Sequence, residues 1–149
     1  MSTATDLYEQ DPHAWALHNA TLLRQGRLAE IDAEHLAEEL EDMGANKKRA
    51  IARHLMRLLQ HLLKYKMQPQ LRSKSWQLTI RNQREDLREL LEESPSLVHT
   101  LHDPERLRRA YARAVSEASI ETGIDESVFP HECPFTVEQA LKPDFWPEG

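Results

Sequence analysis

Residues 47–84 read KKRAIARHLMRLLQHLLKYKMQPQLRSKSWQLTIRNQR. Apolar residues in the first half recur with a 4-3-4-3 spacing, at Ile51, Leu55, Leu58, Leu62 and Tyr65. This spacing is typical of an amphipathic α-helix, so the sequence predicts a helix over 45–67 with one buried face. The opposite face is expected to be solvated or paired, and it carries Arg49, Arg53, Arg57, Gln60 and Lys64.

The second half of this stretch predicts another helix. Pro69 ends the first helix, because proline lacks a backbone N–H and disfavours helical geometry in the residue before it. Ser73 or Ser75 can then act as the N-cap of a helix over 75–93, whose inward face is Trp76, Ile80, Gln83, Leu87 and Leu90. Two long helices with so short a link are expected to pack as an antiparallel helical hairpin.

Capping signals predict three further helices, over 12–25, 33–43 and 104–122. The first and the last begin with an Asp-Pro pair, which places an N-cap before a proline at the first helical position. Glycines are expected to end the three helices, at Gly26, Gly44 and Gly123.

The remaining segments are predicted to be irregular. Residues 1–10 are expected to be flexible. Residues 124–149 hold four prolines and four aromatic residues, and they are expected to form a strap over the bundle with one short helix capped by Thr136.

Composition predicts an all-α fold in a single domain over 1–149. Ala, Leu, Glu and Arg are abundant while β-branched residues are few, and summed propensity therefore favours helix over sheet. A compact helical bundle around the hairpin is the expected architecture. Cys133 is the one cysteine, so no internal disulfide can form. With no long apolar stretch and no signal peptide at the N-terminus, a cytoplasmic protein without membrane contact is expected.

Charge is distributed unevenly along the chain. Residues 47–84 hold eleven of the 19 Lys and Arg residues and no Asp or Glu, whereas all 25 acidic residues lie elsewhere. The residues around the hairpin link are therefore a candidate anion-binding site, here called the basic corner: Lys64, Gln68, Arg72, Ser73, Lys74, Ser75, Trp76, Arg81 and Arg84. The alternative is neutralisation within the molecule, by the acidic 33–43 helix and by Glu85, Asp86, Glu92 and Glu93.

Histidines and the cysteine suggest two weaker site hypotheses. His54 and His61 lie seven residues apart on one edge of the central helix, but no HExxH or paired-cysteine motif supplies the further ligands that a metal needs. No metal and no cofactor are therefore predicted. Cys133 lies near His131 and ahead of a short helix, and it is a minor candidate for a reactive thiol.

Several segments together carry a resemblance to a known family. They are LLRQGR at 22–27, LAEELEDMG at 36–44, HLLKY at 61–65, QP at 68–69, RSKSW at 72–76, ETG at 121–123, CPF at 133–135 and DFWP at 144–147. In this order they resemble an uncharacterised bacterial family, domain of unknown function number twenty-nine, from about Tyr8 to Pro147. Tyr65 stands where many relatives have tryptophan. The resemblance implies a small helical single-domain protein and supplies no activity, cofactor or catalytic residue.

These observations favour a non-enzymatic binding or interaction module. Its ligand or partner is expected to be acidic and to bind at the basic corner, and a homodimer is possible. Nucleic acid is not favoured, because the net charge of −6 lacks the basic excess of most nucleic-acid binders. The alternative function is an enzyme or metalloprotein that uses the histidines, with Cys133 as a variant.

Overall fold

The computed structural model describes residues 4–148 and confirms the all-α prediction. The helices are α1 (Ala4–Gln10), α2 (Pro12–Arg24), α3 (Ala33–Met67), α4 (Lys74–Glu93), α5 (Val98–Leu101), α6 (Pro104–Thr122) and α7 (Val137–Leu141). Short 3-10 turns lie at Pro69–Leu71, Pro95–Leu97 and Glu126–Val128. No helix within residues 4–148 combines the length and apolar character that crossing a membrane requires. The chain divides into two compact units, the first ending at Asn46 and the second beginning at Lys47.

The first unit contains α1, α2 and the start of α3. Asp11 caps α2 by accepting a hydrogen bond from the Ala14 N–H at 3.0 Å. The sequence predicts no helix within residues 1–10, yet residues 4–10 form α1, and residues 1–3 lie outside the described part. Side-chain packing explains the difference, because the ring of Tyr8 stacks on His35 at 3.9 Å and contacts Trp15 edge-on at 4.8 Å.

A single continuous helix, α3, replaces the two helices predicted over 33–43 and 45–67. Gly44 was expected to end the first of them, but it lies within α3 and its φ is not positive, unlike those of Gly26 and Gly123. An interior glycine costs only about 1 kcal/mol relative to alanine. Good helix formers on both sides of Gly44 therefore allow the helix to continue.

The second unit holds a large hydrophobic cluster, which is built on the predicted antiparallel hairpin. His54 of α3 bonds to Gln83 of α4, and Lys64 lies over Trp76, so residue numbers rise along α3 as they fall along α4. The best-buried large side chains of this unit are no more than 1% exposed: Ile51, Leu58, Leu62, Leu63, Ile80, Leu87 and Leu101. Ala114 and Ala118 of α6 are fully buried and complete the same cluster.

The C-terminal strap follows α6, as predicted. Phe129, Phe135 and Ala140 are buried in the same core, so the strap is part of the packed structure. Thr136 and Gln139 form a capping box at the start of α7. The Tyr111 hydroxyl donates to the Pro130 carbonyl, which connects the strap to α6. Irregular backbone is thus held both by apolar burial and by hydrogen bonds.

Candidate functional site

Lys64 of the basic corner is neutralised inside the second unit. Its side chain is only 10% exposed, its Nζ donates to Glu121 Oε2 of α6, and it lies 4.8 Å from the centre of the Trp76 ring. Gln60, also buried, donates to the other oxygen of the same carboxylate at 2.7 Å. Glu121 is absent from the acids predicted to neutralise this corner, because its position beside α3 depends on how α6 packs.

The stabilisation that this ion pair supplies depends on pH through the ionisation of Glu121. The hydrogen bond from Lys64 lowers the pKa of the Glu121 carboxyl, although partial burial opposes the shift. When folding lowers the pKa of a carboxyl, the resulting stabilisation is fully present at pH values above the pKa of the unfolded chain, which is near 4.5. That stabilisation is lost as the pH falls through the lower pKa that Glu121 has in the folded state.

Glu121→Gln is expected to reduce stability at neutral pH by about 1 kcal/mol, because it removes the charge of a carboxylate that is 44% exposed and bonded to Lys64. The variant should also lose less stability than the parent on acidification below about pH 4.5. Urea unfolding at a series of pH values measures both effects. Glu117→Gln is the matched control, since it removes the same charge from a neighbour that forms no ion pair with any described residue. Parallel pH curves for the parent and Glu121→Gln would contradict the prediction.

Arg72 is held by backbone carbonyls. Its Nε donates to the Tyr65 carbonyl at 2.7 Å and its Nη2 to the Pro147 carbonyl at 3.3 Å. The guanidinium also lies 4.2 Å from the centre of the Tyr65 ring, a cation–π contact. Arg72 therefore joins the end of α3 to the end of the strap.

Arg84 fastens the strap more extensively. Its side chain donates to three strap carbonyls, those of Ala140 at 2.7 Å, Pro143 at 3.3 Å and Phe145 at 2.8 Å. The residue is 5% exposed, and burial lowers the pKa of its guanidinium. Five N–H donors in a planar fork allow one arginine to bond several carbonyls at once. Arg84 is thus a structural anchor as well as a source of positive charge.

The polar uncharged members of the basic corner organise the backbone of the link. Ser73 is the N-cap of α4 and accepts from the Trp76 N–H at 3.2 Å. The Ser75 carbonyl accepts from the Thr79 hydroxyl, and the Gln68 carbonyl accepts from the Leu71 N–H. These bonds stabilise the start of α4 and the turn that precedes it.

A groove of about 830 Å³ runs along α4 and against the strap. We call it the α4 groove, and its lining combines basic and apolar side chains: Lys74, Leu78, Arg81, Arg84, Arg88, Leu91, Leu141, Pro143 and Trp146, with Gln77, Glu85 and Glu92. Of the nine predicted site residues, the structure brings Lys74, Arg81 and Arg84 to this groove. The other six lie outside its lining.

The charged residues of the α4 groove differ in their partners. Arg88 bonds to both Glu85 and Glu92, so these two acids are already engaged. The side chains of Lys74 and Arg81 form no hydrogen bond or ion pair with any residue in 4–148. Leu78 lies between them in sequence and is 53% exposed. The groove therefore presents two unengaged cations beside an exposed apolar side chain.

The two candidate metal-binding histidines have other partners. His54 Nδ1 lies 2.7 Å from Gln83 Oε1 and 3.8 Å from Asp86 Oδ2. His61 Nδ1 lies 2.9 Å from the Arg57 carbonyl, and burial lowers the pKa of its imidazole. Within residues 4–148, no three His, Cys, Asp or Glu side chains converge as a metal site would require.

Cys133 is half-buried among core residues. Burial raises the pKa of its thiol, and the weaker bond from the Phe135 N–H opposes that shift. A reactive thiol needs a lowered pKa, whereas the surroundings of Cys133 raise the pKa of its thiol.

Comparison with known proteins identifies the family. Residues 7–146 match the family model described as "Domain of unknown function DUF29". The chain belongs to this family. No curated protein and no solved structure matches the chain. The resemblance noted from the sequence segments is confirmed, and the family description assigns no reaction or ligand.

A second concave surface of this DUF29 protein was not singled out from its sequence. It is a cleft of about 860 Å³ between α3 and α6, here called the arginine cleft, with six arginines in its lining: Arg49, Arg53, Arg57, Arg106, Arg109 and Arg113. Three of these arginines, Arg49, Arg53 and Arg57, form a row on the polar face of α3 that the sequence predicts. The second row lies on α6, and only packing reveals that the two rows face a common cleft.

Proposed function

We propose that this DUF29 protein is a binding module without a reaction of its own, whose α4 groove takes an acidic and partly apolar segment of a partner protein. The supporting observation is the arrangement of Lys74, Leu78 and Arg81. These residues are spaced i, i+4 and i+7, so they share one face of α4. Both cations lack a partner among the described residues.

The apolar part of the groove supports a protein partner over a small ion. Leu78 is 53% exposed and Trp146 is 36% exposed, and Leu91 and Leu141 line the same groove. Apolar surface rimmed by charged groups is typical of protein interaction sites. An amphipathic segment of a partner would place its apolar residues on Leu78 and Trp146.

Charge complementarity supports an acidic partner. Glu85 and Glu92 are bonded to Arg88, so they leave Lys74 and Arg81 for the carboxylates of the partner. Rim charges of this kind add about 0–1 kcal/mol each and mainly accelerate association and select the partner. The apolar contacts would supply most of the affinity.

The proposal is tested with fluorescein-labelled peptides followed by anisotropy. The probe alternates Glu and Leu at helical spacing; one control replaces Glu with Lys, and another replaces Leu with Ser. We expect saturable binding of the Glu/Leu peptide alone, weakened by salt. Arg81→Ala should weaken binding about fivefold, the equivalent of about 1 kcal/mol.

Matched variants separate the groove from the general surface. Arg108→Ala removes the same charge from an exposed residue outside the groove lining, and Ile120→Ser removes an exposed apolar side chain as the control for Leu78→Ser. Equal effects of Arg81→Ala and Arg108→Ala would overturn the proposal. So would self-association in sedimentation that Leu78→Ser abolishes, since a second copy would then occupy the groove.

A further inference from the structure

The arginine cleft is a concentration of positive charge that the proposed function does not use. Arg49, Arg53 and Arg57 are spaced i, i+4 and i+8 on α3, and their side chains therefore form one row about 12 Å long. Arg106, Arg109 and Arg113 form the second row on α6. Like charges at i, i+4 destabilise a helix by about 0.2–0.5 kcal/mol per pair, so Arg53 and Arg57 together carry a cost without a ligand.

Acidic residues engage only part of this charge. Arg106 pairs with Asp103 at 3.6 Å and Arg109 with Glu105 at 3.3 Å. Two glutamates also line the cleft. Glu121 is bonded to Lys64 and Gln60, whereas Glu117 has no ion pair within residues 4–148 and opposes anion binding at its end of the cleft.

Three guanidinium groups remain unengaged. Those of Arg53, Arg57 and Arg113 form no hydrogen bond or ion pair with any described residue, and all three residues are exposed. They come from both walls of the cleft. An anion between the walls can therefore be approached from two sides.

The chemistry of the lining selects phosphate. Arginine offers two parallel N–H donors that match two phosphate oxygens, and such bidentate pairs are among the strongest hydrogen bonds in proteins. Several arginines in a row fit an anion with several linked charges better than a single carboxylate. Among the described residues that line the cleft there is no Phe, Tyr or Trp, so the stacking platform that single-stranded nucleic acids use is missing from this part of the chain.

We propose that the arginine cleft binds an oligophosphate chain, held between Arg53 and Arg57 of α3 and Arg113 of α6. The same chemistry is found in inorganic triphosphate and in the triphosphate of a nucleotide. This site is separate from the α4 groove, and its occupation does not depend on the proposed peptide partner.

Isothermal titration calorimetry with the full chain tests the proposal, using sodium triphosphate, ATP and inorganic phosphate without magnesium. We expect saturable binding of triphosphate at low salt that weakens as salt is raised, with inorganic phosphate at least about tenfold weaker. Equal affinities for triphosphate and ATP would identify the phosphate chain as the whole ligand. Tighter binding of ATP would identify a nucleotide.

Two double variants with the same change in net charge make the test specific. Arg53→Ala/Arg113→Ala is expected to weaken triphosphate binding at least about tenfold, whereas Lys74→Ala/Arg81→Ala should change it by less than about twofold. Both pairs of side chains are exposed and unengaged, so all variants should fold. Equal losses in the two double variants, absence of saturable binding in the parent, or tighter binding of a short oligothymidylate than of triphosphate would each overturn the proposal.

Discussion

Leu62→Ala is expected to lower the free energy of unfolding of the second unit by about 2–5 kcal/mol. Leu62 is fully buried and belongs to the core cluster together with Ile80 of α4 and Ala114 of α6. Truncation removes buried apolar surface and leaves a cavity that neighbouring helices can fill only in part. Leu58→Ala, at a fully buried position one turn earlier, should give a loss of the same size.

Urea unfolding followed by the fluorescence of Trp76 and Trp146, with Trp15 replaced by Phe in all variants, measures this effect in the second unit. Leu78→Ala is the matched control, since it makes the same chemical change at a position that is 53% exposed and should cost less than about 1 kcal/mol. A near-neutral Leu62→Ala would mean that this face of α3 is not buried in solution.

Arg84→Ala is expected to cost about 2–4 kcal/mol and to loosen the strap. The substitution removes the donors to the Ala140, Pro143 and Phe145 carbonyls, and a hydrogen bond to a charged group contributes about 1.5–3 kcal/mol. The contributions are not additive, because the freed carbonyls regain water when the strap opens. Arg84→Lys keeps the charge but lacks the planar fork, so it should recover less than half of the loss.

Hydrogen exchange and denaturant unfolding test this prediction together. We expect faster exchange at the amides of residues 137–146 in Arg84→Ala than in the parent, with little change at the centre of α3. Arg81→Ala is the matched control, since it removes an exposed arginine of the same groove whose side chain forms no bond with any described residue. Equal exchange of the strap in Arg84→Ala and the parent would show that apolar packing alone holds it.

Much of the fold is local information, and the sequence predicted it for that reason. The signals that predicted it act within one or two turns of helix. They are the 4-3-4-3 spacing of Leu55, Leu58 and Leu62, the proline at Pro69 and the serine cap at Ser73. The same rule misplaced the helix end at Gly44. A glycine permits a left-handed cap without requiring one, and nothing beside Gly44 forces the chain out of the helix.

The candidate sites could be predicted only in part, because side-chain partners come from elsewhere in the chain. The sequence showed that Lys64, Arg72 and Arg84 lie in a segment without acids, and this concentration of charge suggested an anion site. In the structure Lys64 is bonded to Glu121, 57 residues away, and Arg84 to carbonyls 56 to 61 residues away. A carbonyl has no signature in a sequence, and Glu121 is one of 25 acidic residues without a feature that marks it as the partner of Lys64, so neither partnership could be predicted.

The sequence by itself determined the all-α class, the hairpin, its buried face and the family of this protein. Each depends on short-range periodicity, on capping chemistry or on motifs in a fixed order. Only the tertiary structure decided which cations are already engaged and which still face solvent. It distinguished Arg84, which is bonded to strap carbonyls, from Lys74 and Arg81, whose side chains are unengaged by any described residue in the same α4 groove. It also brought the arginines of α3 and α6 to one cleft. Whether a charged side chain has a partner depends on which atoms from distant parts of the chain lie beside it. Their positions are fixed only when the helices and the strap pack together.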